Sequence, residues 1–299
     1  METVLFLGAT GGVTNSILVS ALQSAPSSTH CVALVRTPQK LRAMLEAQNL
    51  TQQQLSPSRL TILAGDALDT KSLRQGILQQ PPNSTSPSPQ LPVAIVTGLG
   101  GLGQLTFNTC APLEIIKLEN PHICTEGAQA LVSTLREIYS TISTTQMKPR
   151  LIFISTTGVT RGPEDVPMAM RFMYHKSLAV PHRDKKAMED VFRAEVANKS
   201  WNVGPGNPNN DGVFKSATGI RPTLLSGGTG AEALGSGKGW EKVKAGTEAK
   251  PQLGYNIARV DVGEWVWMRV LRKFLSNGEE NEEELKGQKW EGEMCSLTT

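Results

Sequence analysis

The sequence predicts an α/β fold in which a doubly wound parallel sheet carries helices on both faces. Short apolar runs recur along the first half of the 299-residue chain and alternate with segments that have the spacing of amphipathic helices. Runs that are apolar on both faces suit parallel strands that are covered on both sides. A glycine-rich turn follows the first run and leads into the first helical segment. This alternation favours one layered domain over separate helical and sheet domains.

The strands are expected at five apolar runs, residues 4–7, 32–35, 60–63, 93–96 and 151–154. The helices are expected at four segments between or after these runs, residues 14–23, 39–47, 125–139 and 183–197. A further helix is indicated near the C-terminus, where Asp261 and Glu264 have the spacing of a capping box. Its buried face would consist of residues spaced i, i+3, i+4 and i+7, namely Trp267, Val270, Leu271 and Phe274.

Three stretches rich in proline, serine or glycine predict surface loops, residues 79–92, 199–211 and 227–239. We expect a single domain over residues 1–299, in which residues 159–181 and 199–260 form most of the substrate-facing region. Residues 167–180 contain three Met, a Phe and a Tyr. These side chains either pack in the interior or form a flexible apolar wall of a binding pocket.

The composition excludes several classes of protein. Hydrophobic residues make up 39% of the chain, which is enough for a core, and a net charge of +3 without a dense basic stripe gives no reason to expect nucleic acid. No apolar run reaches the roughly 18–20 residues that span a bilayer, and the N-terminus lacks the basic region of a signal peptide. The cysteines are too far apart to indicate disulfides or a metal site. We therefore expect a cytoplasmic protein, a monomer or homodimer, that acts on a small molecule and binds no metal.

Residues 8–14, with the sequence GATGGVT, join the first predicted strand to the first predicted helix. The N–H groups at a helix N-terminus are unpaired within the helix and carry partial positive charge, so a pyrophosphate fits there. Gly8 allows the tight turn and Gly11 leaves room for the phosphate. Thr14 stands where a third glycine is usual, which puts the packing of this helix on its strand in question. The predicted phosphate loop comprises Gly8, Thr10, Gly11, Gly12 and Val13.

The identity of the dinucleotide follows from a missing carboxylate. No Asp or Glu occurs between Gly12 and Leu45, whereas a site for NAD has an acid after the second strand that holds the ribose diol. Here that strand leads to Arg36, with Lys40 in the next helix. These cations suit the 2′-phosphate of NADP(H), which is the expected cofactor. The alternative is a basic helix face that meets only solvent.

Two later strand ends add candidates for cofactor binding. Asp66 follows the third strand, where its carboxylate could reach the adenine amino group. Thr97 and Gly98 follow the fourth strand, where small residues let the chain pass close to a ribose. Open α/β sheets bind ligands at the carboxyl ends of their strands, which favours both positions.

These motifs resemble the NmrA-like, atypical short-chain dehydrogenase/reductase family. The similarity lies in GATGGVT at 8–14, VR at 35–36, GD at 65–66, the glycine loop at 98–101, LIFISTTG at 151–158, PHRDKKAMED at 181–190, GIRPTLL at 219–225 and IARVDVGEW at 257–265. It covers nearly the whole chain and is strongest with fungal members, which points to secondary metabolism. The resemblance implies a Rossmann fold with a small C-terminal substrate region and NADPH-linked reduction. Some relatives are isomerases, and others bind the dinucleotide as regulators.

Ordinary short-chain dehydrogenases use a Ser beside a Tyr-x-x-x-Lys motif, and this chain departs from that pattern. Pro181 and His182 stand four residues before Lys185 and Lys186, so the usual tyrosine is absent. Related chains carry an acid four residues after the active-site lysine, and Lys185 with Glu189 fits this register. The resemblance therefore implies that Lys185 holds the ribose next to the nicotinamide, with Lys186 as the alternative.

The proton donor stays open among several groups. His182 lies on the same helix side as Lys185 and could act as a general acid near neutral pH. Tyr174 is a second candidate. Ser155 and Thr156 supply hydroxyl groups after the fifth strand, and Ser155 is also expected to contact the cofactor.

These observations favour an NADP(H)-dependent reductase of a small, largely apolar metabolite. Two alternatives remain open at this point. The protein could be an NADP(H)-binding regulator or redox sensor without turnover, or an isomerase or cyclase built on the same fold.

Overall fold

A computed structural model of the protein describes residues 1–82, 84, 89–100, 103–105, 116–142, 147–196, 212–275 and 290–299. Its strands are β1 (Glu2–Leu7), β2 (Thr29–Val35), β3 (Leu60–Ala64), β4 (Ala94–Thr97), β5 (Gly103–Leu105), β6 (Ile116–Leu118), β7 (Arg150–Ile154), β8 (Ser216–Pro222), β9 (Leu224–Ser226), β10 (Lys244–Gly246), β11 (Asn256–Ala258) and β12 (Met294–Thr298). Its helices are α1 (Gly12–Ser24), α2 (Pro38–Glu46), α3 (Thr70–Ile77), α4 (Ile123–Thr141), α5 (Ala179–Ala194) and α6 (Arg259–Arg269). The predicted loop at residues 199–211 lies outside the described residues, as does part of the glycine loop at 98–101.

Eight strands form one sheet in the order β10-β12-β8-β7-β4-β1-β2-β3. All neighbours in this sheet are parallel except β10, which pairs antiparallel with β12. The strand order reverses between β1 and β4, so a crevice opens there at the carboxyl ends of the strands. The predicted fold class is confirmed.

Both faces of the sheet are buried, as the apolar runs require. Phe6 of β1 packs with Ile17 of α1 and Trp265 of α6 in one core cluster. Leu5, the preceding residue, faces the opposite cluster together with Leu131 of α4 and Phe153 of β7. Neighbouring residues of one strand thus belong to two cores, which is the arrangement of a doubly wound sheet.

Three sequence expectations about elements need correction. The helix expected from residue 183 begins at Ala179, because a proline is tolerated in the first turn of a helix. The predicted capping box is wrong: α6 begins at Arg259, and the Asp261 carboxylate accepts from the backbone N–H groups of Lys238 and Gly239, at 3.0 and 2.9 Å. The face expected to be buried after it is buried, although the helix ends at Arg269 and continues as a 3-10 turn.

Within the described residues, no helix is both long and apolar enough to cross a bilayer. The same part of the chain holds no cluster of three or more His, Cys, Asp or Glu side chains that could bind a metal ion.

Candidate functional site

The glycine turn between β1 and α1 has the backbone that the sequence predicts. Gly8 has a φ of +77°, which favours glycine, and its carbonyl accepts from the N–H of Gly11 at 2.8 Å. The first helical hydrogen bond of α1 runs from Asn15 to the Gly11 carbonyl at 2.8 Å. Gly11 supplies no capping side chain, and no acid lies in the first turn. The N-terminal N–H groups and the dipole of α1 are therefore left for an anion, which fits a pyrophosphate.

The other residues of the predicted phosphate loop take up consistent positions. Thr10 and Gly12 are half-buried beside the turn, and Val13 is buried beneath it. Asn15 supports the turn from below, because its Nδ2 donates to the Ala9 carbonyl at 3.2 Å. Gln48 donates in turn to Oδ1 of Asn15 at 2.8 Å. This buried amide pair holds the loop in place.

The basic residues that the sequence assigns to the 2′-phosphate are accessible. Arg36 follows β2 and Lys40 lies in the first turn of α2, and both side chains are exposed. Asp66 follows β3, and its Oδ1 accepts from the N–H of Leu68 at 3.0 Å. Thr97 ends the neighbouring strand β4 and is buried. These residues lie after successive strands at one edge of the sheet.

The structure distinguishes the two candidate lysines. Nζ of Lys185 donates to the carbonyls of Leu99 and Ile154, at 2.8 and 2.7 Å. These carbonyls lie at the carboxyl ends of β4 and β7, which are neighbouring strands on one side of the crevice. Lys186 is exposed on the outer side of α5. Only Lys185 therefore lies at the sheet edge where a nicotinamide ribose is expected.

Two acids of α5 fix the helix that carries Lys185. The Asp184 carboxylate caps α4, because it accepts from the N–H groups of Cys124 and Thr125, each at 2.9 Å. Glu189 is fully buried and pairs with Arg221 through two hydrogen bonds, at 3.0 and 2.6 Å. Lys185 is thus positioned by contacts to α4 on one side and to β8 on the other.

The hydroxyl group of Ser155, which is expected to contact the cofactor, bonds to a buried carboxylate in the structure. Oγ of Ser155 donates to Oε1 of Glu189 at 2.6 Å, and the side chain is buried. The reason is that the buried Glu189 carboxylate needs donors in addition to Arg221. Thr156, the next residue, is half-buried at the end of β7, and its hydroxyl makes no hydrogen bond within the part of the chain that the structure describes.

Tyr174 and His182 come together, as candidates for one site should. Their ring centroids are 5.5 Å apart, and both rings lie against Gly158, where a Cβ would approach Cδ1 of Tyr174 and Cε1 of His182 to 2.9 Å. Burial raises the pKa of Tyr174, and the charge of Asp165 contributes in the same direction. The phenol therefore stays protonated at neutral pH and can donate.

His182 differs from the sequence expectation in its protonation. Burial lowers the pKa of His182 to about 4, with a smaller contribution from the nearby His175. The imidazole is therefore neutral at pH 7, and its pKa lies below the range near neutrality that the sequence expectation assumed.

Asp165 is a residue that sequence reasoning missed. Its side chain is buried, and Oδ1 accepts from the N–H of Gly158 at 2.8 Å. Oδ2 has no hydrogen-bond partner in the described part of the chain, and burial raises the pKa of this carboxyl group. Asp165 also raises the pKa of Tyr174 through its charge. No local sequence pattern indicates this buried carboxylate, because its burial depends on how the chain folds around it.

The apolar segment before α5 is partly on the surface. Met168 and Phe172 are 81% and 65% exposed, and Leu224 is 48% exposed. Interior packing is therefore wrong for Met168 and Phe172, whereas Tyr174 of the same segment is buried. The Leu224 backbone lies near Tyr174, which puts one of these exposed residues beside the candidate site. This position fits the alternative of an apolar wall.

No family model matches the chain. The oxidase pynE of Aspergillus niger is 38% identical to it over 285 residues, which cover 90% of this chain and 92% of pynE. The reductase pytE of Aspergillus terreus is 33% identical over 274 residues, which cover 91% of this chain and 92% of pytE.

Among solved structures, the fold is similar to a short-chain dehydrogenase/reductase from Veillonella parvula. Its ethylated form aligns with a TM-score of 0.58 and 10% identity over 99% of this chain and 93% of that chain. A second structure of that enzyme, in complex with NADP, aligns with a TM-score of 0.57 and 11% identity over 100% and 94% of the two chains. At these identities the likeness shows the shared fold.

Proposed function

This chain belongs to the same fungal protein family as pynE and pytE, and from that premise we propose that it is an NADP(H)-dependent oxidoreductase that reduces a small, largely apolar metabolite. The observation that carries the proposal is the position of Lys185, between the Leu99 and Ile154 carbonyls at the edge that also bears the uncapped glycine turn. We further assign the chain to the NmrA-like, atypical branch of the short-chain dehydrogenases/reductases on its sequence motifs.

The cofactor would be held along the carboxyl edge of the sheet. The residues assigned to it are Gly8, Thr10, Gly11, Gly12 and Val13 at the pyrophosphate, Arg36 and Lys40 at the 2′-phosphate, Asp66, Thr97 and Gly98 at the adenosine and ribose, and Lys185 at the second ribose. When bound, a reduced nicotinamide supplies the hydride. The ammonium of Lys185 favours negative charge that develops on a nearby carbonyl oxygen.

Tyr174 is assigned as the proton donor, with Thr156 to orient the substrate oxygen. The phenol is protonated at neutral pH, since its ordinary pKa is already about 10 and burial and the charge of Asp165 raise it. His182 packs against the tyrosine ring and holds it in position. The role that a Tyr-x-x-x-Lys motif fills in other enzymes would thus be divided between two segments.

The substrate class follows from the exposed apolar surface beside Tyr174. A metabolite that covers Met168, Phe172 and Leu224 would remove large apolar side chains from water, which stabilises a complex. A highly charged substrate would leave this surface uncovered. We therefore propose a ring-containing or otherwise apolar carbonyl compound, bound against residues 159–181 and the described part of residues 199–260.

The test is a binding and turnover experiment on the purified protein. Calorimetry with NADPH and NADH measures cofactor choice, and NADPH oxidation is followed with a panel of apolar ketones, aldehydes and quinones. Gly11→Val is the control, because a side chain at this point blocks the pyrophosphate. We expect NADPH oxidation with at least one carbonyl compound and none in the control.

Other outcomes would contradict the proposal. Tight NADPH binding without oxidation of any compound would indicate a regulator. Conversion of a metabolite to an isomer without net NADPH oxidation would indicate an isomerase or cyclase. Native mass spectrometry of the protein with a metabolite panel separates these outcomes, because it reports the cofactor and the ligand together.

A further inference from the structure

A second glycine-rich segment lies against the phosphate loop. Residues 227–230, Gly-Gly-Thr-Gly, follow β9, and two of these glycines have left-handed backbones, with φ of +78° at Gly227 and +61° at Gly230. The sequence assigns this stretch to the substrate-facing region. In the structure it lies against α1 and α2.

The contacts of this segment define its place. A Cβ at Gly12 would approach Cγ2 of Thr229 to 3.1 Å, and a Cβ at Gly230 would approach Cγ of Met44 to 3.5 Å. Gly12 is the first residue of α1, and Met44 lies in α2. The segment therefore spans the entrance between the helix that carries the phosphate loop and the helix that follows Arg36.

The side chain of Arg259 lies between residues 227–230 and the start of α1. This side chain fills the space that a Cβ at Gly12 would need, with Nε 3.0 Å from that position. Nη1 donates to the carbonyl of Gly227 at 2.5 Å. Within the described residues, Arg259 forms no ion pair with a carboxylate. The guanidinium is thus a cation held beside the N-terminus of α1 by a single carbonyl.

This arrangement leaves positive charge uncompensated. Arg259 is the first residue of α6, where the helix dipole disfavours a cation, and it also faces the positive end of α1. Asp261 is the acid in the first turn of α6, but its two oxygens accept from Lys238 and Gly239. An anion between α1 and Arg259 would relieve both unfavourable interactions.

We propose that Arg259 binds the pyrophosphate of the dinucleotide and that residues 227–230 form the outer wall of that site. The inference rests on the proposed dinucleotide binding and adds a ligand from the C-terminal region to it. A guanidinium can donate to a phosphate through two N–H groups and still reach the Gly227 carbonyl. Because Asp261 holds the other end of the same loop, cofactor binding should also order residues 227–239.

The experiment compares Arg259→Gln with Arg36→Gln, using calorimetry for NADPH and NADH and ligand-observed NMR for adenosine 2′-monophosphate, which has no pyrophosphate. Arg259→Gln should weaken the binding of NADPH and of NADH by the same factor, about 10-fold or more, because each complex loses a charge-assisted contact. The same substitution should leave the affinity for adenosine 2′-monophosphate within about twofold of the wild-type value. Arg36→Gln should weaken the binding of NADPH and of adenosine 2′-monophosphate and leave the binding of NADH nearly unchanged.

A second readout follows the loop itself. Saturating NADPH should slow the amide hydrogen exchange of residues 227–239 in the wild type and slow it less in Arg259→Gln. Arg259→Lys keeps the charge without the paired donors, so its affinity and its protection should fall between those of the wild type and of Arg259→Gln. This variant also controls for a folding defect in Arg259→Gln.

The two proposals fail in different ways. Arg259→Gln that binds both dinucleotides with wild-type affinity and shows wild-type protection overturns the role of Arg259 alone. Loss of affinity for NADPH but not for NADH would mean that Arg259 reads the 2′-phosphate, which also overturns it. A wild-type protein that binds neither dinucleotide overturns the proposed function and this inference together.

Discussion

Oγ1 of Thr14 occupies the space that a Cβ on residue 98 would need, so Thr14 and Gly98 form a matched pair across the crevice. Thr14 replaces the third glycine of the dinucleotide-binding fingerprint, and its side chain is buried. A larger residue on α1 is accommodated because the facing residue, after β4, has no side chain. The packing of α1 on its strand, which the sequence left in question because of Thr14, is thus made possible by the glycine that follows β4.

This pairing predicts non-additive effects on stability. Gly98→Ala should lower the free energy of unfolding by about 1–3 kcal/mol, since the new methyl group meets the Thr14 hydroxyl. In a Thr14→Ala background the same substitution should cost less, by about 1 kcal/mol or more. Urea unfolding of the four proteins measures this coupling. Additive losses would show that the two residues do not depend on each other.

Cofactor choice should depend on Arg36. Arg36→Asp should weaken NADPH binding by about 2–3 kcal/mol, because a charge-assisted contact becomes a repulsion, and should change NADH binding much less. Calorimetry with both cofactors is the measurement. Lys244→Asp, on the exposed edge strand β10 at the far side of the sheet, controls for the change in net charge. Equal losses for both cofactors would rule out a role for Arg36 at the 2′-phosphate.

The two lysines of α5 provide a matched comparison. Lys185→Ala should lower kcat/KM for any accepted carbonyl substrate by about 100-fold or more, since it removes the charge at the sheet edge. Lys186→Ala should stay within about twofold, because that side chain is exposed. Steady-state kinetics with NADPH test both variants. A larger loss in Lys186→Ala would mean that the other lysine serves the reaction.

The assigned proton donor can be tested by removing one oxygen atom. Tyr174→Phe should lower kcat by about 100-fold or more and leave the Kd of NADPH unchanged, because the ring still packs against His182 while the donor is lost. Tyr255→Phe is the control, since Tyr255 is 58% exposed. A wild-type kcat in Tyr174→Phe would show that another group donates the proton.

The sequence could predict the parts of this molecule that depend on local pattern. The five strands and the glycine turn follow from apolar runs and from the backbone that Gly8 must adopt. The features that the sequence could not predict depend on contacts between distant segments. Ser155 pairs with Glu189, and Arg259 covers Gly12, and no local signal reports either contact.

The lowered pKa of His182 also could not be predicted, because it comes from burial in the folded protein. The ordinary pKa of a histidine is 6.5, and in the fold it falls to about 4. Between these values the unfolded chain binds a proton that the folded chain does not. Acidification therefore favours unfolding, and this one group should cost about 3 kcal/mol of stability between pH 6.5 and pH 4. The loss is absent above pH 6.5 and complete below pH 4.

His182→Gln should therefore flatten the pH dependence of stability, even if the variant is less stable at pH 7. The measurement is the free energy of unfolding by urea at several pH values between 7 and 4, compared as a slope within each protein so that a constant offset cancels. His122→Gln is the control for replacing an imidazole by an amide, because the His122 side chain is exposed at the start of α4. The buried His30 has a lowered pKa as well, so a shallower slope remains in His182→Gln. Equal slopes in His182→Gln and the wild type would show that His182 titrates in the fold as it does in the unfolded chain.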